Sequence, residues 1–186
     1  GQVAHFELIK SFSLENIRDG LNQHLRPHTI AILEVQKVDN DFHARFSANS
    51  REYKYLIINR RAPLTIEKNK AWGVFKKLEI KKMISESQYF LGKHNLEAFR
   101  SIDCQSTSAN KTIKSVNIIE KKDKIIITVC AKSFLHSQVR IMVGTLVEIG
   151  KGKITKSIKE IIESKDRSLA GVTAPACGLY LEKVNY

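Results

Sequence analysis

Four side chains stand out by type and position: Arg45, Tyr53, Tyr55 and Arg140. Tyr53 and Tyr55 are two residues apart, so in an extended segment they share a face with Arg51, and Arg45 and Lys54 lie close in sequence. Aromatic rings among cations can stack on bases at ~1–3 kcal/mol per base, while Lys and Arg neutralise phosphate. The same spacing also serves plain packing on a sheet, and the residues alone leave both uses open. Arg140 is flanked by Val139, Ile141, Met142 and Val143. A guanidinium in such surroundings needs a carboxylate or phosphate partner, unless its stem carries the head out to water. Ser133, Ser137, Arg140 and Gly144 fall along one helical stripe, a lane of small residues with room for that guanidinium.

No complete catalytic constellation accompanies them. The aspartates (Asp19, Asp39, Asp41, Asp103, Asp123, Asp166) sit mostly in turn or charged contexts, and Asp166-Arg167 reads as a local ion pair at a helix exit. Cys104, Cys130 and Cys177 are widely spaced and odd in number, which offers no disulfide framework and suits a reducing, cytoplasmic setting. The six histidines lack metal-ligand spacing, so no metal is expected. Gly150-Lys151-Gly152-Lys153 lacks the glycine spacing of a phosphate-binding loop. No apolar run approaches the ~18 residues of a membrane span.

The elements that must position these residues can be read from periodicity. Gln2–Leu8, Thr29–Val38, Phe42–Ser47 and Tyr53–Ile58 read as extended segments, and Leu14–Leu25 as a helix capped by Ser13. Ile80–Leu91 reads as a helix closed by Gly92. Val116–Ile119 and Ile125–Val129 flank a charged turn as a hairpin. From Leu135, apolar residues recur at Val139, Met142, Val143, Leu146 and Ile149, a helical period. Thr155–Ser164 is a further helix and Leu179–Val184 a last strand. The fold class is α+β, a mostly antiparallel sheet with helices packed on one face. At 186 residues, 42% of them hydrophobic, the chain can bury a core without staples. Its 31 basic and 19 acidic side chains leave a net charge of +12, which points to a polyanionic partner.

Three segments taken together resemble one family. Asp41-Phe42-His43-Ala44-Arg45-Phe46-Ser47-Ala48 with Arg51-Glu52-Tyr53-Lys54-Tyr55 is similar to the second motif of the tRNA pseudouridine synthase A family. The stretch Ser133-Phe134-Leu135-His136-Ser137-Gln138-Val139-Arg140, continuing to Gly144, resembles that family's Phe-Leu-His…Val-Arg helix. Thr173-Ala174-Pro175-Ala176-Cys177-Gly178-Leu179-Tyr180-Leu181 resembles its closing motif, and Ser168–Gly171, Phe99-Arg100 and Cys104-Gln105 fit in between. The resemblance runs in order along essentially the whole chain.

The resemblance implies an RRM-like α+β half beside a basic cleft. The activity implied is isomerisation of uridine to pseudouridine at positions 38 to 40 of the tRNA anticodon stem-loop, without cofactor and by a homodimer. In that family an aspartate carboxylate drives cleavage of the glycosidic bond of a flipped uridine, and the uracil is rejoined through carbon. Carried over, Tyr53 would stack on the uracil, Arg140 would pair with the aspartate, Leu179 would form apolar floor and Arg45 would line the cleft.

One departure matters. The family's aspartate lies in a Gly-Arg-Thr-Asp-x-Gly-Val-His motif, which these 186 residues do not contain. The segment from Gly1 matches the stretch just downstream of that motif. The expected organisation is therefore residues 1–40 as a remnant of the catalytic half and 41–186 as a C-terminal α+β domain, inactive alone. Smaller departures are Ser137 and Ile141, where many members carry His and Asn. The alternative is a stand-alone RNA-binding module without catalysis.

Overall fold

The alternation that starts at Ser50 decides the architecture, because Tyr53, Tyr55 and Ile57 all point to one face and need cover. The computed structural model describes residues 1–186. In chain order its elements are α1 (Leu14–His24), β1 (Ser50–Asn59), β2 (Trp72–Val74), α2 (Ile80–Ser87), β3 (Gly92–Asn95), β4 (Asn110–Lys121), β5 (Lys124–Ala131), α3 (Gln138–Gly150), α4 (Ile158–Ser164) and β6 (Leu179–Asn185). The sheet runs β2-β1-β5-β4-β3, with β6 also pairing β1. Only β1 with β2 is parallel. This is the expected α+β class.

Register explains the core. Tyr53 lies opposite Val129, Tyr55 opposite Ile127 and Ile57 opposite Ile125, so one face of β1 and β5 is continuous and apolar. That face, with Ile113 and Val116 of β4, packs with Ile141, Met142, Leu146 and Ile149 of α3 in one cluster. Every residue of α3 except Arg140 is buried. Fully burying an Ile or Leu stabilises by ~1.5–3 kcal/mol, so α3 is the element the sheet is built around.

The chain divides into two compact units, Val3–Ser47 and Ala48–Tyr186, the latter including Gly1–Gln2. Three extended segments expected before Ala48 are not strands. Gln2–Leu8 and Thr29–Val38 find no strand to pair with. Instead the Asn22 side chain of α1 donates to the Ile32 carbonyl (2.9 Å) and accepts from its N–H (2.8 Å), clipping that stretch to the helix. In Phe42–Ser47 local side-chain bonds outcompete extension: His43 Nδ1 accepts from the amides of Arg45 (3.1 Å) and Phe46 (3.3 Å), and Ser47 N–H returns to the His43 carbonyl (2.8 Å). No residue of Val3–Ser47 is buried.

Helix ends differ from the periodic expectation too. α3 begins at Gln138 rather than Leu135, because Ser137 adopts φ +57° and Gln138 Oε1 reaches back to the Leu135 N–H at 2.7 Å. α4 begins after a capping box of Ser157 and Glu160. α2 ends at Ser87 and continues as one tighter 3₁₀ turn, Gln88–Phe90, before Gly92 at φ +97°. No helix is long and apolar enough to cross a membrane.

Candidate functional site

The site grows from the start of α3. Arg140 occupies its first turn and is half-buried, the one residue of the helix that reaches the surface. Its Nε donates to the Ala174 carbonyl at 2.7 Å, while its own backbone carbonyl accepts the Ala174 N–H at 3.2 Å. Arg140 thus grips residue 174 from two sides. No carboxylate lies within ion-pairing distance, and the two Nη groups make no hydrogen bond within the protein. The guanidinium is oriented at one nitrogen and open at the others.

Residue 174 belongs to a strap, 171–178, that crosses α3. Gly171 N–H donates to Thr145 Oγ1 at 2.9 Å, and that hydroxyl donates to the Ile141 carbonyl at 2.8 Å. A Cβ on Gly144 would meet the Val172 carbonyl oxygen at 1.7 Å. The small-residue lane expected to make room for the guanidinium is therefore filled at Gly144 by strap backbone. Arg167 donates to the Gly171 carbonyl (2.9 Å) and to Thr173 Oγ1 (3.2 Å), and burial lowers its pKa from the ordinary arginine value. Asp166 accepts from Ser168 N–H at 2.8 Å. The expected Asp166–Arg167 ion pair does not form, because each side chain is committed elsewhere, Asp166 to backbone and Arg167 to the strap.

The strap reaches β1 through Tyr55, whose hydroxyl donates to the Pro175 carbonyl at 2.6 Å. Burial holds that phenol well above its ordinary range, a nearby Cys177 adds to this and the Arg140 charge opposes it, so Tyr55 stays a neutral donor. Gly178 passes so close that a Cβ there would meet the Tyr55 ring at 2.7 Å. Tyr55 is fully buried. Tyr53, two residues earlier on the same face, is only half-buried and meets Phe134 edge-on, ring centroids 5.3 Å apart. Leu179, half-buried, sits opposite Tyr55 across the β1–β6 pair.

Of the residues carried over from the resemblance, Arg140 and Leu179 lie at the strap and Tyr53 lies beside it on β1. Arg140 holds Ala174, Pro175 bonds Tyr55, Tyr55 neighbours Leu179, and Tyr53 continues the face toward Phe134, just before α3. Arg45 lies in the other unit, on the His43 turn, with its guanidinium 5.6 Å from the Phe46 ring centre. The strap itself had a signal in the sequence, two glycines and a proline among small residues, but nothing in its spacing said that it lies on α3. Two shallow depressions, lined by residues such as Lys37 and Phe42 and by Asn22 and Arg26, include none of Arg45, Tyr53, Arg140 or Leu179.

Comparison with known proteins gives this arrangement a family. The sequence pattern of a family described as tRNA pseudouridine synthase matches residues 87–186, which hold α3, the strap and β6. The chain is 50% identical to the tRNA pseudouridine synthase A of Ehrlichia canis (strain Jake) over its whole length, covering 76% of that relative. It is 48% identical to the protein of that name from Anaplasma phagocytophilum (strain HZ), with the same coverage. For Maricaulis maris (strain MCS10) the identity is 44%, again over the whole chain and 75% of the relative. With half the chain matched by the family pattern and three quarters of each relative covered at this identity, the chain belongs to the tRNA pseudouridine synthase family.

Proposed function

We propose that this chain contributes the tRNA-binding and uridine-holding part of a pseudouridine synthase acting on positions 38 to 40 of the anticodon stem-loop, as a homodimer in the cytoplasm and without cofactor. One observation carries the reading. Arg140 is pinned at Nε with both Nη groups open, the state of a guanidinium waiting for an anion. A carboxylate there would gain charge-assisted, bidentate hydrogen bonds, which fix a nucleophile's direction as well as its ionised state. Tyr53 supplies a half-exposed ring for the everted uracil, and Leu179 an apolar surface beside it. To Arg45, which lies in the other unit, we assign a phosphate contact.

The attacking aspartate is not among these residues. The 186-residue chain has no Gly-Arg-Thr-Asp motif, and three of its six aspartates are already committed, Asp19 to Arg18, Asp123 to Arg60 and Asp166 to backbone. Alone, this polypeptide binds tRNA and leaves uridine unchanged. Incubation with tRNA tritiated at uracil C5 tests this, since isomerisation releases that hydrogen. No tritium above background is expected from the 186-residue chain, and release above background overturns the proposal.

A further inference from the structure

The loop Arg100–Ala109, between the 3₁₀ turn Glu97–Phe99 and β4, has an unusual tip. Cys104 N–H donates to the Ser101 carbonyl at 3.0 Å, which places Ile102 and Asp103 at the centre of a β-turn. The turn is braced from below: Arg100 Nη2 donates to the carbonyls of Cys104 (2.9 Å) and Ser106 (2.8 Å), and Nη1 pairs with Glu97 at 3.3 Å. It is also fastened to the entry of α3. Ser101 N–H donates to the His136 carbonyl and His136 N–H to Cys104 Sγ, both at 3.4 Å. His136 stands four residues before Arg140 and two after Phe134, the ring that Tyr53 meets. The turn therefore stands on the rim of the site.

Ile102 at its tip is 99% exposed. Central turn positions favour Pro, Asp, Asn, Ser or Gly, and a fully exposed isoleucine contributes no packing to the fold. We propose that Ile102 is an apolar wedge for the RNA, packing against the bases beside the everted uridine; this rests on the site receiving a flipped uridine. Flipping unstacks the neighbouring bases, and apolar side chains that enter a base step offset that loss. A β-branched side chain on a braced turn has few rotamers to give up on contact.

The test uses an anticodon stem-loop RNA with 2-aminopurine next to the target uridine, its binding followed in parallel by anisotropy. The 186-residue chain is expected to raise the probe's fluorescence at least about twofold at saturation, as unstacking does. Ile102→Ser, a change at a fully exposed position, should remove most of that rise while weakening binding no more than about threefold. Ile102→Leu should keep at least half of it. A rise with Ile102→Ser equal to the unaltered chain's overturns the wedge, as does saturable binding with no rise, or no saturable binding. The uridine site is read separately: if Tyr53→Ala leaves the rise intact while Ile102→Ser abolishes it, the wedge stands and the stacking role of Tyr53 falls.

Discussion

Tyr53 and Tyr55 are the same residue type on the same face of one strand, and the fold gives them opposite uses. Tyr55 is fully buried with its hydroxyl spent on Pro175, so nothing of it is left for a ligand. Tyr53 keeps part of its ring exposed and has the Phe134 ring perpendicular to it, which helps hold it in place. Sequence spacing could not separate them, because the difference is made by a strap from 120 residues away. Removing the Tyr53 ring should therefore cost the stacking of one base, ~1–3 kcal/mol or roughly 5- to 150-fold in affinity. Fluorescence anisotropy with Tyr53→Ala should show that loss for the anticodon stem-loop and little change for a plain RNA duplex. Equal losses on both would mean that the ring supports the fold and not the base.

α3 and the strap are one device. The periodicity from Val139 to Ile149 was enough to predict a helix and its buried face, because burial on a sheet imposes that period directly. What the period could not show is that Gly144 is small for the Val172 carbonyl, which lies 28 residues downstream. The strands expected before Ala48 failed for a related reason: alternation signals willingness to pair, while a strand also needs an edge to pair with. At Gly144 a methyl group would collide with backbone, which cannot rotate away, so Gly144→Ala must lift the strap from α3. Overpacking of this kind destabilises by ~1–3 kcal/mol. Lifting the strap also pulls the Ala174 carbonyl from Arg140 Nε. Urea unfolding should show a lower midpoint at unchanged slope, and stem-loop affinity should fall with it. Wild-type stability in the Gly144→Ala variant would mean that the strap can seat elsewhere.

At the scale of the molecule, charge and packing are distributed differently. The core lies in Ala48–Tyr186, where α3 is almost wholly buried, whereas no residue of Val3–Ser47 is buried and α1 leaves Leu14 exposed. The positive charge is carried by both parts, and 31 basic side chains against 19 acidic ones leave a large excess of cations. That excess can meet phosphate. Each phosphate neutralised releases counterions and steepens the dependence of log affinity on log salt by about 0.7–0.9. A chain with net charge +12 that engages about six phosphates should lose roughly a thousandfold in tRNA affinity between about 50 and 200 mM salt. Titrations of whole tRNA and of the isolated stem-loop over that range should give a steeper slope for the whole tRNA, because its body offers phosphates beyond the loop. A flat slope for both would mean that the excess charge faces no polyanion, and the binding reading would lose its electrostatic basis.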